Sequence, residues 1–144
     1  MIWATRAGIH VDRAASAWLI VTYIDPDAEF VYVDDVDDVP DDATAFDMVG
    51  CELSHHGDDV SFETILRKYE LLDPVLWRIA EIVHQADVED DRFDAPEAAG
   101  LDTIIRALGL THDDEGVRTI TATILTSLER YLRRETLGSL SAGY

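Results

Sequence analysis

Two short pairs of an acidic residue and a histidine carry the strongest chemical signal in the sequence. Glu52 and His55 are three positions apart, and His84 and Asp87 repeat that spacing further along the chain. Side chains three apart on a helix project from one face, so each pair could direct two ligands at one point. Two imidazoles and two carboxylates suit Zn²⁺, Mn²⁺ or Fe²⁺, with coordination positions left for water or substrate. The pattern predicts that the two pairs together hold one divalent metal ion.

The same residues also have a plain structural interpretation. Pairs of this kind arise by chance in an acid-rich chain, and His55 and His84 could instead be hydrogen-bonded at the rim of the core. The two imidazoles would then share no ligand, so their placement in the structure distinguishes the two interpretations. His56 is either a further ligand or a turn residue before Gly57.

A second signal lies near the start of the chain, in the form of two arginines. Arg6 falls at the expected end of a strand and Arg13 at the start of a helix. Arginine forks and helix N-terminal amides can together bind an oxyanion. Asp47 follows another expected strand and is a candidate group beside the metal. The alternative is that Arg13 pairs with an acid such as Asp12 or Asp47.

The remaining reactive residue types give weaker signals. Cys51 has no lysine or arginine near it in sequence to lower its pKa, which favours a buried structural thiol over a nucleophile. His10 and His112 lie in loop-like contexts and are expected to face solvent. The sequence contains no Gly-rich phosphate loop, nucleophile elbow or zinc-finger spacing.

Composition limits the classes of protein to which the chain can belong. Its 144 residues and 16.1 kDa are most simply one domain, residues 1–144, with its own core. The formal net charge of −19 repels phosphate backbones, which argues against autonomous nucleic-acid binding. An acidic excess with a single lysine is typical of a protein adapted to high salt. The start resembles no signal peptide and no apolar run is long enough for a membrane span, so we expect a cytoplasmic protein of undetermined oligomeric state.

Periodicity places these residues in an α+β fold. A small strand-rich N-terminal third with one helix is followed by four helices. The expected strands are residues 1–6, 29–33 and 43–46, and the first helix covers 13–24 with Asp12 as its N-cap. The four later helices are expected to begin near Ser61, at Asp73-Pro74, near Pro96 and at Asp113 or Asp114. The small polar tail from Gly138 is expected to fray.

The ordered set of motifs resembles the chromate-resistance ChrB family, specifically its C-terminal domain. The resemblance covers roughly residues 3 to 107 and rests on the following segments, in order: Val11-Asp12-Arg13, Ala17-Trp18-Leu19-Ile20, Tyr23-Ile24-Asp25-Pro26, Phe46-Asp47, Gly50-x-Glu52-x-x-His55, Ser61-Phe62-Glu63, Ile82-Val83-His84-x-x-Asp87 and Pro96-Glu97-Ala98-Ala99-Gly100-Leu101. It implies a cytoplasmic protein linked to chromate resistance. Longer relatives carry a further N-terminal region associated with chromate-responsive regulation of efflux.

Three functions are compatible with these observations. The first is a metal-dependent sensor or binding domain for an oxyanion such as chromate. The second is a small redox or hydrolytic metalloenzyme, in which Glu52 or Asp47 accepts a proton from metal-bound water. The third is a structural or partner-binding domain without metal. Its partner could be a second copy of the chain in a homo-oligomer.

Overall fold

The computed structural model describes residues 1–142. Its strands are β1 (Ile2–Arg6), β2 (Glu29–Val33) and β3 (Ala43–Ala45), and its α-helices are α1 (Val11–Leu19), α2 (Ser61–Lys68), α3 (Pro74–Val88), α4 (Glu97–Leu108) and α5 (Asp114–Ala142). A π-helical turn (Ile20–Ile24) continues α1, and a 3₁₀ turn (Val36–Asp38) lies in the acidic loop after β2. The predicted α+β class, with one helix in the first third and four after it, is confirmed. The tail from Gly138 is helical through Ala142, and residues 143–144 lie outside the described residues.

The sheet has three parallel strands in the order β2-β1-β3. In its register Trp3 of the central strand lies opposite Phe30 on one side and Thr44 on the other. Helix α1 connects β1 to β2, whereas β3 lies on the other side of β1. In open parallel sheets, a change in the direction in which strands are added leaves a crevice at their carboxyl ends. The fold therefore predicts a ligand crevice beside the ends of β1 and β3.

Helix α1 lies at the centre of the packing and contacts the other four α-helices. Small residues allow those helices to approach, since Ala14, Ala15 and Ala17 are at most 1% exposed. The ring of Trp18 stacks on Phe62 of α2 with ring centroids 6.4 Å apart. This burial fixes the helix firmly, so polar groups at its N-terminal end are held on a rigid element.

One predicted helix cap differs from the structure. The N-cap of α1 is His10, and Asp12 lies inside the first turn of the helix, 2% exposed. Its carboxylate instead accepts hydrogen bonds from the backbone N–H groups of Ser61 and Phe62, each at 3.0 Å. Asp12 therefore caps α2 through space, because the sequence alone does not show which helix N-terminus a buried carboxylate will meet.

Candidate metal centre

Three side chains from three separate elements converge at the carboxyl edge of the sheet. They are Asp12 of α1, His55 of the loop between β3 and α2, and Asp87 of α3. The Nε2 atom of His55 lies 3.1 Å from Asp12 Oδ2 and 3.4 Å from Asp87 Oδ2. One ligand atom from each residue lies within 4.8 Å of the other two. Ligand atoms that share one ion at bonds of about 2 Å lie at most about 4 Å apart, and both His55 distances are within that limit.

Three hydrogen-bonding groups hold the carboxylate of Asp12 in place and leave it little freedom. Its backbone belongs to the buried α1, and its two carboxylate oxygens receive the N–H groups of Ser61 and Phe62. Oδ2 also contacts His55. An ionised carboxylate has about four acceptor positions, so one remains for a further donor or a cation.

Asp87 lies in the last turn of α3, and its side chain is 24% exposed. Burial and the neighbouring charge of Asp12 raise the pKa of Asp87 to about 6, although His55 opposes this shift. The ionised form of this carboxylate is therefore less stable in the folded protein than in water. A cation in the cluster would relieve that unfavourable interaction.

Asp47 is a fourth acid at the edge of the cluster, and its backbone adopts a left-handed φ of 50°. Its Oδ1 accepts a hydrogen bond from Ser61 Oγ at 2.6 Å and lies 4.0 Å from His55 Nε2. Burial, and next the charge of Asp12, raise the pKa of Asp47 to about 7. A non-glycine residue in this conformation is uncommon, and such strain is concentrated at functional sites.

Arg13 supplies the fixed positive charge beside these acids. Its Nε lies 3.0 Å from Asp47 Oδ2, an ion-pair distance without the orientation of a hydrogen bond, and its Nη2 donates to the Asp47 carbonyl at 3.0 Å. Its Nη1 donates to the carbonyl of Gly8. The pairing of Arg13 with an acid, which the sequence left open, is therefore with Asp47.

His55 is the second positive group of the cluster. Its hydrogen bond to Asp12, and the charges of Asp12, Asp87 and Asp47, raise its pKa to about 9 against the opposing effect of burial. The imidazole is consequently protonated near neutral pH. A metal ion at this position would take the place of that proton.

The cluster opens into a cavity of about 970 Å³ at the carboxyl ends of β1 and β3. Its charged lining includes Arg6, Arg13, Asp34 and Asp35, and Met48 and Val49 add an apolar part. The cavity thus occupies the crevice that the strand order predicts. Its size is that of a site for a small molecule rather than for an ion alone.

The structure brings together two of the four predicted ligands, His55 and Asp87. Glu52 instead points to solvent, where its carboxylate pairs with Lys68 Nζ at 2.7 Å. His84 is fully buried, and its ring nitrogens contact Glu63 and Asp90. The structure therefore does not bring the two predicted pairs together, and the third side chain beside His55 and Asp87 is Asp12.

The loop that carries Glu52 and His55 explains part of this difference. Residues 47–60 form turns and isolated bridges rather than a helix, so a spacing of three does not place the two side chains on one face. The loop turns at Gly50 and Gly57, where φ is positive. His56 contacts the Glu52 carbonyl at 2.5 Å and remains exposed. Cys51 is half-buried, and burial raises the pKa of its thiol, as fits a structural cysteine.

Asp12 is the site residue that the sequence did not assign. The sequence predicts a helix cap at this position, whereas the placement of Asp12 beside His55 depends on contacts with residues far along the chain. The available signal was its position inside the Val11-Asp12-Arg13 segment, next to an arginine. A carboxylate in the first turn of an almost fully buried helix must find partners from elsewhere, since burial without them is costly.

Together, the fold and the cluster define a small α+β domain with an acidic candidate metal centre at the edge of a parallel sheet. The chain belongs to the ChrB C-terminal-domain family, which matches residues 3–132. It is 42% identical over 104 residues to Protein ChrB of Cupriavidus metallidurans. That match covers 72% of this chain and 32% of the relative, so the chain spans about a third of the relative's length. The family assignment made from the motifs is therefore confirmed.

Two further findings accompany this assignment. No solved structure matches the chain. Within residues 1–142, none of the helices combines the length and apolar character that crossing a bilayer requires.

Proposed function

We propose that this domain binds a divalent metal ion through Asp12, His55 and Asp87, with Asp47 beside it. In a ChrB-type protein linked to chromate resistance, the loaded site would serve as a sensor or binding site for an oxyanion. The observation that carries the proposal is the convergence of three ligand atoms within 4.8 Å from three elements distant in sequence. Structural ion pairs alone do not require three acids around one histidine.

The charge balance of the cluster supports a cation. In the part of the chain that the structure describes, the positive groups within 4.0 Å of Asp12, Asp47 and Asp87 are Arg13 and the protonated His55. Two of the three acids have pKa values raised by burial, to about 7 and about 6. A divalent ion that displaced the His55 proton would increase the positive charge at the site, and the acids would bind it directly.

The ligand set favours particular metals. One imidazole and two carboxylates are harder ligands than a site with several histidines or a thiolate. Mn²⁺ and Fe²⁺ match such a set, and Zn²⁺ is the third candidate. Cys51 adds no thiolate to the site, since its pKa is raised by burial.

An oxyanion would enter from the open side of the same cavity. Arg6 lies at the end of β1, is exposed and lines the cavity, while Arg13 is already engaged by Asp47 and Gly8. The metal ion and Arg6 would therefore supply the positive charge that this negative protein otherwise lacks. The oxyanion part of the proposal predicts binding that depends on metal.

Titration calorimetry of chelator-treated protein with Mn²⁺, anaerobic Fe²⁺ and Zn²⁺ tests the metal site. Asp12→Asn, His55→Ala and Asp87→Asn should each weaken binding at least tenfold. Glu52→Gln is the matched control, because Glu52 belongs to the same loop as His55 but pairs with Lys68 in solvent. Absence of metal binding by the native protein, or an equal loss in Glu52→Gln, would contradict the assignment.

Oxyanion binding is tested separately on the metal-loaded protein. Chromate, and molybdate as an anion that does not oxidise the protein, should bind the loaded form and not the chelated form. Arg6→Gln should weaken the anion and leave the metal affinity unchanged. Anion binding that depends on neither the metal nor Arg6 would contradict the sensor interpretation.

The second candidate is a metal-dependent enzyme, and the placement of Asp47 favours it. This carboxylate lies beside the cluster in a left-handed conformation, and with a pKa of about 7 it could accept a proton near neutral pH. Chromate reduction and superoxide removal by the loaded protein, measured with Asp47→Asn as the variant, decide between catalysis and binding. Binding without turnover would exclude the enzyme.

A further inference from the structure

His84 and Glu63 lie outside the cluster but form a buried contact of their own. His84 of α3 is 0% exposed and Glu63 of α2 is 4% exposed. The Nδ1 atom of His84 lies 2.5 Å from Glu63 Oε1, and its Nε2 lies 2.9 Å from Asp90 Oδ2. An ionised carboxylate only accepts hydrogen bonds, so with both acids ionised both ring nitrogens donate and the imidazole carries a positive charge. Burial alone would lower the pKa of His84, but its contacts with Asp90 and Glu63 raise it overall.

Glu63 connects this imidazole to the start of α2. The same Oε1 atom accepts the backbone N–H of Val60 at 3.0 Å. The next two residues, Ser61 and Phe62, donate their N–H groups to Asp12. Two carboxylates therefore share the N-terminal donors of α2, and one of them belongs to the cluster.

His84 also connects the same point to α3. Asp87 follows His84 by three residues on that helix, so the two side chains point in similar directions while His84 faces the core. The Phe93 ring packs edge-on against His84, with ring centroids 5.0 Å apart, and closes the outer side. The imidazolium is thus fixed between α2 and the loop after α3.

We infer that Glu63 and His84 are positioning residues for the Asp12–His55–Asp87 cluster. The contact between His84 and Glu63 holds the start of α2 against α3, which keeps the Ser61 and Phe62 donors on Asp12 and sets Asp87 across from it. This inference rests on the proposed metal site for its functional meaning. Its structural part, the control of the Asp12 hydrogen bonds by His84, stands independently.

Two substitutions separate the two sides of the imidazole. In His84→Asn the side-chain amide can replace Nδ1 and keep a donor to Glu63, whereas in His84→Gln it can replace Nε2 and keep a donor to Asp90. The positioning role predicts that His84→Gln loses about 10–100-fold in Mn²⁺ affinity, the usual effect of removing a group that orients a ligand. His84→Asn should stay within threefold of the native protein.

A core variant serves as the control for stability. Leu125 is 0% exposed on α5 and does not line the cavity of the cluster. Leu125→Ala lowers the thermal midpoint without touching either carboxylate. If metal affinity depended only on stability, a plot of affinity against thermal midpoint would place Leu125→Ala and both His84 variants on one line.

A second measurement does not depend on metal. Amide hydrogen exchange of the chelated protein, followed by NMR, reports the hydrogen bonds of Ser61 and Phe62 to Asp12. We expect faster exchange at these two amides in His84→Gln and unchanged exchange in His84→Asn and Leu125→Ala. Equal exchange in all variants overturns the inference, as does equal metal affinity in the two His84 variants.

The two proposals can fail separately in this design. Native protein that binds no Mn²⁺ refutes the proposed function, and the amide exchange still decides whether His84 controls the Asp12 contacts. If the native protein and His84→Gln both bind Mn²⁺ with equal affinity, the proposed metal site is retained and the positioning role is refuted.

Discussion

Replacing Asp87 by Asn should stabilise the metal-free domain at pH 8 and reduce its stabilisation by metal. Burial raises the pKa of Asp87 from 3.8 to about 6. The ionised carboxylate is therefore less favourable in the folded state than in the unfolded chain. This penalty is complete above pH 6, shrinks as the pH falls and is absent below 3.8. The carboxylate also lies at the C-terminal end of α3, where a negative charge opposes the helix dipole.

The size of the effect follows from the pKa. The rise from 3.8 to about 6 corresponds to about 3 kcal/mol at 1.36 kcal/mol per pH unit. Solvent reaches the 24% exposed side chain and screens this energy, and the attraction to His55 is already included in the raised pKa. A gain of about 1–1.5 kcal/mol in the free energy of unfolding is expected at pH 8. Metal at one hundred times the native Kd adds about 2.7 kcal/mol to the native protein but only about 1.4 kcal/mol to a variant that binds tenfold more weakly, so metal cancels or reverses the gain.

Urea unfolding followed by tryptophan fluorescence measures both states, with chelator and with Mn²⁺. Asp41→Asn is the control for net charge, because Asp41 is an exposed residue of the acidic loop and should change stability by less than about 0.5 kcal/mol. Chelated Asp87→Asn that is less stable than the native protein at pH 8 would refute the account of the buried carboxylate. An equal Mn²⁺ response in both proteins would refute the metal site.

Three further outcomes are expected. Metal binding at pH 7.5 should release protons, because the pKa of His55 is about 9, and calorimetric heats should depend on the ionisation enthalpy of the buffer; buffer-independent heats would contradict this. Asp114→Ala should cost about 1–3 kcal/mol and speed amide exchange at Gly8 and Ile9, whose N–H groups Asp114 accepts at 3.0 Å; unchanged exchange would show that the loop is held otherwise. Raising NaCl from 0.1 to 1 M should raise the thermal midpoint by screening the net charge of −19, and a fall would contradict the expected salt adaptation.

The elements of the fold could be read from the sequence because local signals agree with the packing. Asp73 caps α3 through the N–H of Val75, as the Asp-Pro pair predicts. Asp113 accepts the N–H of Gly116 at the start of α5. The parallel pairing of the strands was not predicted, since a sheet of three short strands leaves little trace of its order in the chain.

The site could be predicted only in part, for a geometric reason. A spacing of three gives a shared helix face, but neighbouring positions on that face differ in depth. His84 is 0% exposed, whereas the side chain of Asp87 is 24% exposed. One residue therefore joins the core and the other reaches the cavity, and only the packing of α3 against α2 decides which.

Asp12 could not be assigned from spacing at all. Its contacts join α1 to the start of α2 and to His55, across segments that share no local pattern. In the sequence, such a residue is visible only as an acid at the start of a helix whose other residues are mostly apolar. Its neighbour Arg13 indicates a charged environment but does not identify the residues that Asp12 contacts.

The carboxylate of Asp12 is shared between the architecture and the chemistry of the domain. Because its two oxygens accept the first N–H groups of α2, a side chain with a single acceptor oxygen would leave one of these hydrogen bonds unmade. Descendants of this domain could vary the proposed metal site at His55 or Asp87, which accept no N–H group of a helix start, with less effect on the fold than a change at Asp12. Diversification of the proposed site is therefore expected at these two residues first.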